Sequence, residues 1–324
     1  MHILILSVLV LLSLGCSDKN SGSSNQACTT ENVETTSGTV CGQIETPTGL
    51  GGLAAEVFLG IPFAETTAGE NRWRPPIPKT ELTGVFRAVE NSPGCPQEDQ
   101  SEFGLVESET SEDCLTVNVW RPHGTPPPSP LPVLVWIYGG SFDAGANSVP
   151  MYDGAYMAAQ QDVVVVTLNY RVGALGFLTG IDGLEGNYGL RDQQLALQWV
   201  SENAAAFGGD PSRVTLFGQS AGAMSVGLHA LSIPSSRNPS LFQAIIMESN
   251  PFGLPFKTKS QATADAELLS RELGCEGELD KVNCMRAATA QSVVTAQAST
   301  SAEVSSILGA DIAGLLVFAP TIDG

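Results

Sequence analysis

Val214-Thr215-Leu216-Phe217-Gly218-Gln219-Ser220-Ala221-Gly222-Ala223 joins a short apolar run to a series of small residues. The run at 214–217 predicts a buried strand that ends at Gly218, and 221–231 reads as the helix that follows it. Ser220 therefore falls on a sharp strand-to-helix turn. Such a turn lifts the hydroxyl above the sheet, and its flanking glycines let strand and helix approach without a Cβ between them. The helix N-terminus behind the serine turns free N–H groups and a positive dipole end toward any negative charge that develops there.

The same texture spreads outward along the chain. Apolar runs at 133–138, 163–168 and 244–247 end at Gly139-Gly140, near Asn169-Tyr170 and at Glu248. Continuous apolar runs of this length predict strands buried on both faces of a mostly parallel sheet. Helical spacing lies between them. Leu195, Trp199 and Val200 share a face in 190–206, and Ala266, Leu269 and Leu273 share one in 262–273. Before this region, 39–44 and 55–60 read as early antiparallel strands. The fold class is α/β, a doubly wound sheet with helices on both faces.

Of 324 residues, 43% are hydrophobic and 15% charged, enough apolar surface for a large core. The formal net charge of -19 excludes the basic footprint of nucleic-acid binding. The N-terminal stretch is set apart. An apolar run at 3–14 is the length of a signal-peptide core and short for a membrane span. Gly15-Cys16 follows, then a polar tract rich in Ser and Asn. The expected organisation is a signal peptide at 1–15, a polar linker at 16–27 behind a lipidated Cys16, and a domain at 28–324. Export with a lipid anchor as the sole membrane attachment is the reading; ordinary cleavage near Cys16, releasing the protein, is the alternative. Setting Cys16 aside leaves Cys28, Cys41, Cys95, Cys114, Cys275 and Cys284, which fall into three sequence-local pairs but permit fifteen connectivities. An oxidising compartment favours disulfides. Zinc lacks support, with no Cys-x-x-Cys and no His at ligand spacing, and no metal or cofactor is expected.

Tyr138-Gly139-Gly140-Ser141-Phe142 supplies small residues in a tight turn at the end of another strand. Ester hydrolysis passes through a tetrahedral oxyanion, so N–H donors must converge on one point. A glycine-rich turn after one strand, combined with the N–H that follows the nucleophile, can form that pocket. Standing alone, the turn is equally a simple glycine turn.

Further blocks occur in order: Phe58-Leu59-Gly60-Ile61-Pro62-Phe63-Ala64, Glu112-Asp113-Cys114-Leu115, Trp136-Ile137-Tyr138-Gly139-Gly140, Asn169-Tyr170-Arg171, Gly186-Asn187-Tyr188-Gly189-Leu190-Arg191-Asp192-Gln193, Phe207-Gly208-Gly209-Asp210-Pro211 and Gly218-Gln219-Ser220-Ala221-Gly222. Together they resemble the type-B carboxylesterase and cholinesterase family, from about Cys41 to Gly324. The resemblance implies an α/β-hydrolase fold and a small-molecule carboxylic ester as substrate. It implies Ser220 as acylated nucleophile and an oxyanion hole from the N–H groups of Gly140, Ser141 and Ala221. It also implies Ser249 as support for the catalytic triad, and disulfides Cys95–Cys114 and Cys275–Cys284. Cys28–Cys41 follows from proximity alone. Ser141 stands where the family has a third glycine, Gln219 where it usually has Glu, and Asn250 where it has glycine.

A serine nucleophile needs a histidine base and a carboxylate to orient it. The chain has 3 His. His2 lies in the signal peptide, His123 in a proline-rich loop, and His229 nine residues past Ser220, about 13 Å along the same helix. None is a candidate base, so the triad acid and base are expected beyond Gly324. The chain is expected to be the N-terminal part of a longer enzyme, almost inactive by itself, with 244–247 left as an apolar sheet edge. A non-catalytic binding or adhesion module is the alternative. Between Cys95 and Cys114 the sole aromatic is Phe103, with no Trp to hold a quaternary ammonium, so neutral or aryl esters are expected over choline esters. Cys16→Ser is expected to move the protein from the membrane to the soluble fraction on cell fractionation; unchanged membrane association would remove the lipid anchor.

Overall fold

The computed structural model describes residues 27–98, 110–124, 129–232, 240–251, 253–308 and 316–323. Cys16, the signal and linker stretch up to residue 26, and most of the segment between Cys95 and Cys114, Phe103 included, lie outside the described residues. The strands are β1 (Val33–Thr35), β2 (Gly38–Cys41), β3 (Gln43–Glu45), β4 (Ala55–Pro62), β5 (Val85–Arg87), β6 (Thr116–Pro122), β7 (Leu131–Ile137), β8 (Val164–Leu168), β9 (Gly209–Gln219), β10 (Ala244–Glu248), β11 (Lys257–Thr258) and β12 (Thr321–Ile322). The α-helices are α1 (Ala155–Gln161), α2 (Gly173–Phe177), α3 (Tyr188–Asn203), α4 (Ala221–Leu231), α5 (Lys259–Glu272), α6 (Lys281–Arg286) and α7 (Ala290–Leu308).

The main sheet has seven strands in the order β10-β9-β7-β8-β6-β4-β3. It is mixed. β10, β9, β7 and β8 run parallel to one another, whereas the pairings β8–β6, β6–β4 and β4–β3 are antiparallel. The stretch at 39–44 is two strands rather than one. β2 pairs with β1 and β5 in a separate three-stranded sheet, and β3 joins β4.

Helices cover both faces. Val133, Val135 and Ile137 of β7 and Val214 and Leu216 of β9 share the large core with Leu197 and Val200 of α3 and Met224 and Val226 of α4. On the other face Ala155, Ala158 and Ala159 of α1 pack against Val57, Trp120 and Val165. Because α1 has only seven residues, it covers β4, β6 and β8 and stops there. β8 is therefore buried throughout, while β7 and β9 alternate. The expectation that every apolar run would be buried on both faces holds only for β8. β10 is exposed along its whole length at the edge of the described sheet.

Helix boundaries follow the periodic signals with small shifts. α3 starts at Tyr188, two residues before the expected start, and passes into a 3-10 turn at Ala204–Phe207. Leu195 is only half-buried, and Leu197 and Ala196 face the core beside Val200. α5 starts three residues before its expected apolar face. Thr258 caps it by accepting from Gln261 N–H while the Gln261 side chain accepts from Thr258 N–H. This capping box satisfies two of the helix's free donors.

Buried polar contacts tie the loops to this frame. The Arg171 guanidinium donates to Asp192 at 2.8 and 2.6 Å, and both side chains are almost fully buried. Asp192 also accepts from Arg171 N–H at 3.0 Å, and Arg171 donates to Arg74 C=O. Arg72 donates twice to Glu112 and to the carbonyls of Arg286 and Ala288, joining the early loop to α6 and α7. The Asn187 side-chain amide donates to Thr321 C=O and accepts from Thr321 N–H, fixing β12 beside the start of α3. Disulfides join Cys28 to Cys41, Cys95 to Cys114 and Cys275 to Cys284. Removing one partner of a fully buried ion pair leaves an uncompensated charge, at a cost of about 3–5 kcal/mol. Asp192→Ala is accordingly expected to lower the urea unfolding midpoint strongly; an unchanged midpoint would mean that the pair carries no stability.

Candidate active site

Ser220 sits between β9 and α4 with φ 55° and ψ −122°, outside the regular backbone regions. Such a conformation costs on the order of 1–3 kcal/mol and persists only where neighbours over-determine it. Ser220 N–H donates to Glu248 C=O of β10 at 3.0 Å, and Ser220 C=O accepts from Met224 N–H in the first turn of α4 at 2.9 Å. The neighbouring glycines are demanded by contact. A Cβ on Gly222 would lie 2.1 Å from Ile137 C=O, and one on Gly218 would lie 2.7 Å from the same oxygen. The start of α4 thus rides directly on the end of β7.

That end of β7 continues into the turn at 139–145. A Cβ on Gly139 would meet Gln219 C=O at 2.7 Å and Ser220 Cβ at 3.1 Å, so the turn's backbone lies against the serine itself. Gly140, Ser141 and Phe142 follow with φ of 116°, 56° and 64°. Asp143 and Ala144 both donate N–H to Gly140 C=O, at 2.9 and 3.1 Å. Behind the turn, Tyr138 and Tyr170 stack with ring centroids 4.5 Å apart, each hydroxyl donating to the other's backbone carbonyl. Desolvation pushes both phenols up, so they remain neutral donors. Gln97, buried beside Cys95, holds Gly145 by donating to its C=O and accepting its N–H, at 2.9 and 2.8 Å.

Of the residues singled out from sequence, Ser220, Ala221, Gly140 and Ser141 converge at the C-terminal ends of β9 and β7. Among the described residues, none hydrogen-bonds to Ser220 Oγ, and none accepts from the N–H groups of Gly140, Ser141 or Ala221. Ser249 follows Glu248, the residue bonded to Ser220 N–H. It is exposed with φ 49°, and Asn250 beside it donates to Ala223 C=O at 3.3 Å.

The histidines lie apart from this convergence. His123 follows β6, whose antiparallel register with β8 carries it to the opposite end of the sheet, where Nδ1 lies 3.1 Å from Glu56 Oε1. His229 is buried, its Nε2 2.9 Å from Gln193 Oε1, and burial pushes its pKa down to about 4. Gln193 in turn donates to Ser225 Oγ, which donates to Ala221 C=O. A neutral imidazole locked in a core network is a structural group. Among the described residues, no group of three or more His, Cys, Asp and Glu is placed to hold a metal ion, and no helix is long and apolar enough to cross a membrane. Sequence reading missed Gln97 and Asp143, and no local signal marks either, since Gln97 meets Gly145 across 48 positions.

The Carboxylesterase family model matches residues 29–324 of this chain. The chain belongs to the carboxylesterase family. Its α/β sheet is that of an α/β-hydrolase. Among relatives, acetylcholinesterase from Gallus gallus is 45% identical over 277 residues, covering 81% of this chain and 35% of that protein. Acetylcholinesterase from Electrophorus electricus is 46% identical over 251 residues, 73% of this chain and 39% of that protein. Cholinesterase from Mus musculus is 41% identical over 289 residues, 85% of this chain and 46% of that protein. The chain thus spans less than half the length of these curated relatives.

The His229 environment has a measurable consequence. Its folded pKa of about 4 lies below the ordinary 6.5, so the unfolded chain binds the extra proton between those values. The stability from keeping it neutral is complete above pH 6.5 and is lost as pH falls toward 4. The full swing is about 3 kcal/mol. His229→Gln is expected to flatten this part of the pH–stability curve measured by denaturant unfolding; an unaltered slope would place the acid sensitivity elsewhere.

Proposed function

We propose that this protein is a serine carboxylic-ester hydrolase in which Ser220 is the nucleophile, forming an acyl-enzyme. The N–H groups of Gly140, Ser141 and Ala221 take the oxyanion, and Ser249 supports the triad from the end of β10. The observation that carries the reading is the strained turn at Ser220 with the Gly139 backbone packed against its Cβ. A serine presented in this way meets unpaired N–H donors on one side, as the tetrahedral intermediate of acyl transfer requires.

In this reading the residues from 28 onward are the first part of an α/β-hydrolase domain, and the triad acid and base follow Gly324. Two features support that. Neither His123 nor His229 lies where it could take a proton from Ser220, and relatives extend to more than twice the matched length. Residues 28–324 would then turn over almost nothing unaided. The three disulfides favour an exported protein, and the anchor would be Cys16. The acetylcholinesterase relatives suggest choline esters, but the segment between Cys95 and Cys114 has no Trp to hold a quaternary ammonium. Neutral or aryl esters are the proposed substrates.

Protein expressed from the complete reading frame is expected to react with a fluorophosphonate and to hydrolyse p-nitrophenyl esters. Ser220→Ala should abolish labelling and lower turnover by around 10⁶. A complete protein that neither labels nor hydrolyses would instead be a non-catalytic binding module built on the same fold.

A further inference from the structure

Three consecutive positive φ angles at Gly140, Ser141 and Phe142 demand support from outside the turn. Gln97 supplies it at Gly145. A second buried glutamine, Gln297 of α7, supplies it at the near end. Its Nε2 donates to Asp143 Oδ1 at 3.2 Å, and its Oε1 accepts from Ala174 N–H, at the start of α2, at 2.7 Å. Gly173, just before, donates to Phe142 C=O at 2.6 Å. A Cβ on Gly173 would lie 2.2 Å from Gln297 Oε1, so the amide fills the space between α2 and the turn. Phe142, Gly173, Ala174, Gln297 and Asp143 thus form one closed ring of contacts around the turn.

We propose that Gln297 is a positioning residue for the turn facing Ser220, bridging Asp143 to α2 so that Gly140 and Ser141 keep the direction of their N–H groups. The consequence for catalysis rests on the ester-hydrolase reading; the bridge itself does not.

The bridge has a polarity that can be tested. An amide has one donor end and one acceptor end, and Gln297 uses both. Gln297→Glu keeps the length and the acceptor toward Ala174 but sets a carboxylate against the Asp143 carboxylate. Burial already pushes Asp143 up to about 7, with Lys257, Glu98 and Tyr170 as the ionisable groups facing it and Lys257 paired to Asp265. A proton shared between the two carboxyls would restore the bridge at low pH. In the double variant Asp143→Asn/Gln297→Glu, donor and acceptor exchange places: the new amide at 143 donates to the new carboxylate at 297, whose other oxygen still accepts from Ala174.

Amide hydrogen exchange of the peptide covering 139–145, compared with wild type at the same pH, reads the turn directly. Gln297→Glu is expected to exchange there about tenfold faster than wild type near pH 8.5 and at nearly the wild-type rate near pH 5.5. The double variant should stay within about threefold of wild type at both. Wild-type protection of Gln297→Glu near pH 8.5 would overturn the proposal, as would a double variant no better protected than the single one. If the single variant does not fold, the double variant decides alone, by folding with a protected turn or failing to. In protein from the complete reading frame, kcat for an aryl ester should follow the exchange pattern while KM changes little. A wild type with no turnover would sink the hydrolase reading and leave the exchange result to judge the bridge.

Discussion

The first turn of α4 meets the end of β7 at backbone distance, with no side chain between Gly222 and Ile137 C=O. From this approach the rest of the site follows. Helix α4 can start there only if the chain leaves β9 through a reversal tight enough to force positive φ on Ser220. The turn after β7 must then pass beside the serine, which again leaves no room for a Cβ at Gly139. Any side chain at these positions would lift the helix from the sheet and open the serine turn. The strain at Ser220, Ser141 and Phe142 is of the order of several kcal/mol together. It is held by neighbours that are themselves fixed: the β9–β10 ladder, the Tyr138–Tyr170 pair and the core beneath α3 and α4.

Polar groups do much of that fixing from inside the protein. Arg171 and Asp192 join the segment after β8 to α3, and Arg72 ties a loop near residue 72 to α6 and α7. Buried ions are costly unless every donor and acceptor is met. In both pairs the guanidinium also reaches backbone carbonyls, so the pairs act as directional joints between segments far apart in sequence. Apolar packing alone would hold those segments together with far less control of angle.

The parallel core strands and the serine turn were legible in the sequence, because apolar runs and glycines mark burial and close backbone approach by residue type alone, even where the partner is as remote as Ile137 is from Gly222. Coverage of the sheet was not. Whether Trp136 and Phe217 are buried depends on how far α1 reaches, and α1 is too short and too alanine-rich, with Tyr156 and Met157 exposed, to announce itself by periodicity. At the candidate site, Gly139, Gly140 and Ser220 could be named from local pattern. The glutamines that grip the turn could not, since Gln97 reaches across 48 positions and Gln297 across 154. Nothing local distinguishes Gln297 from other polar residues on a helix rich in Ser, Thr and Ala.

The disulfides span 13, 19 and 9 positions and never link one half of the described chain to the other. Closing loops of that size removes about 3 kcal/mol each of unfolded-state freedom on a chain-entropy basis. Each pair can therefore close within its own short stretch of chain, and the first two pairs lie wholly before β9 and β10 in sequence. Local pairing of this kind places no cysteine partner across the sheet, so the serine turn depends on no cross-link between distant strands.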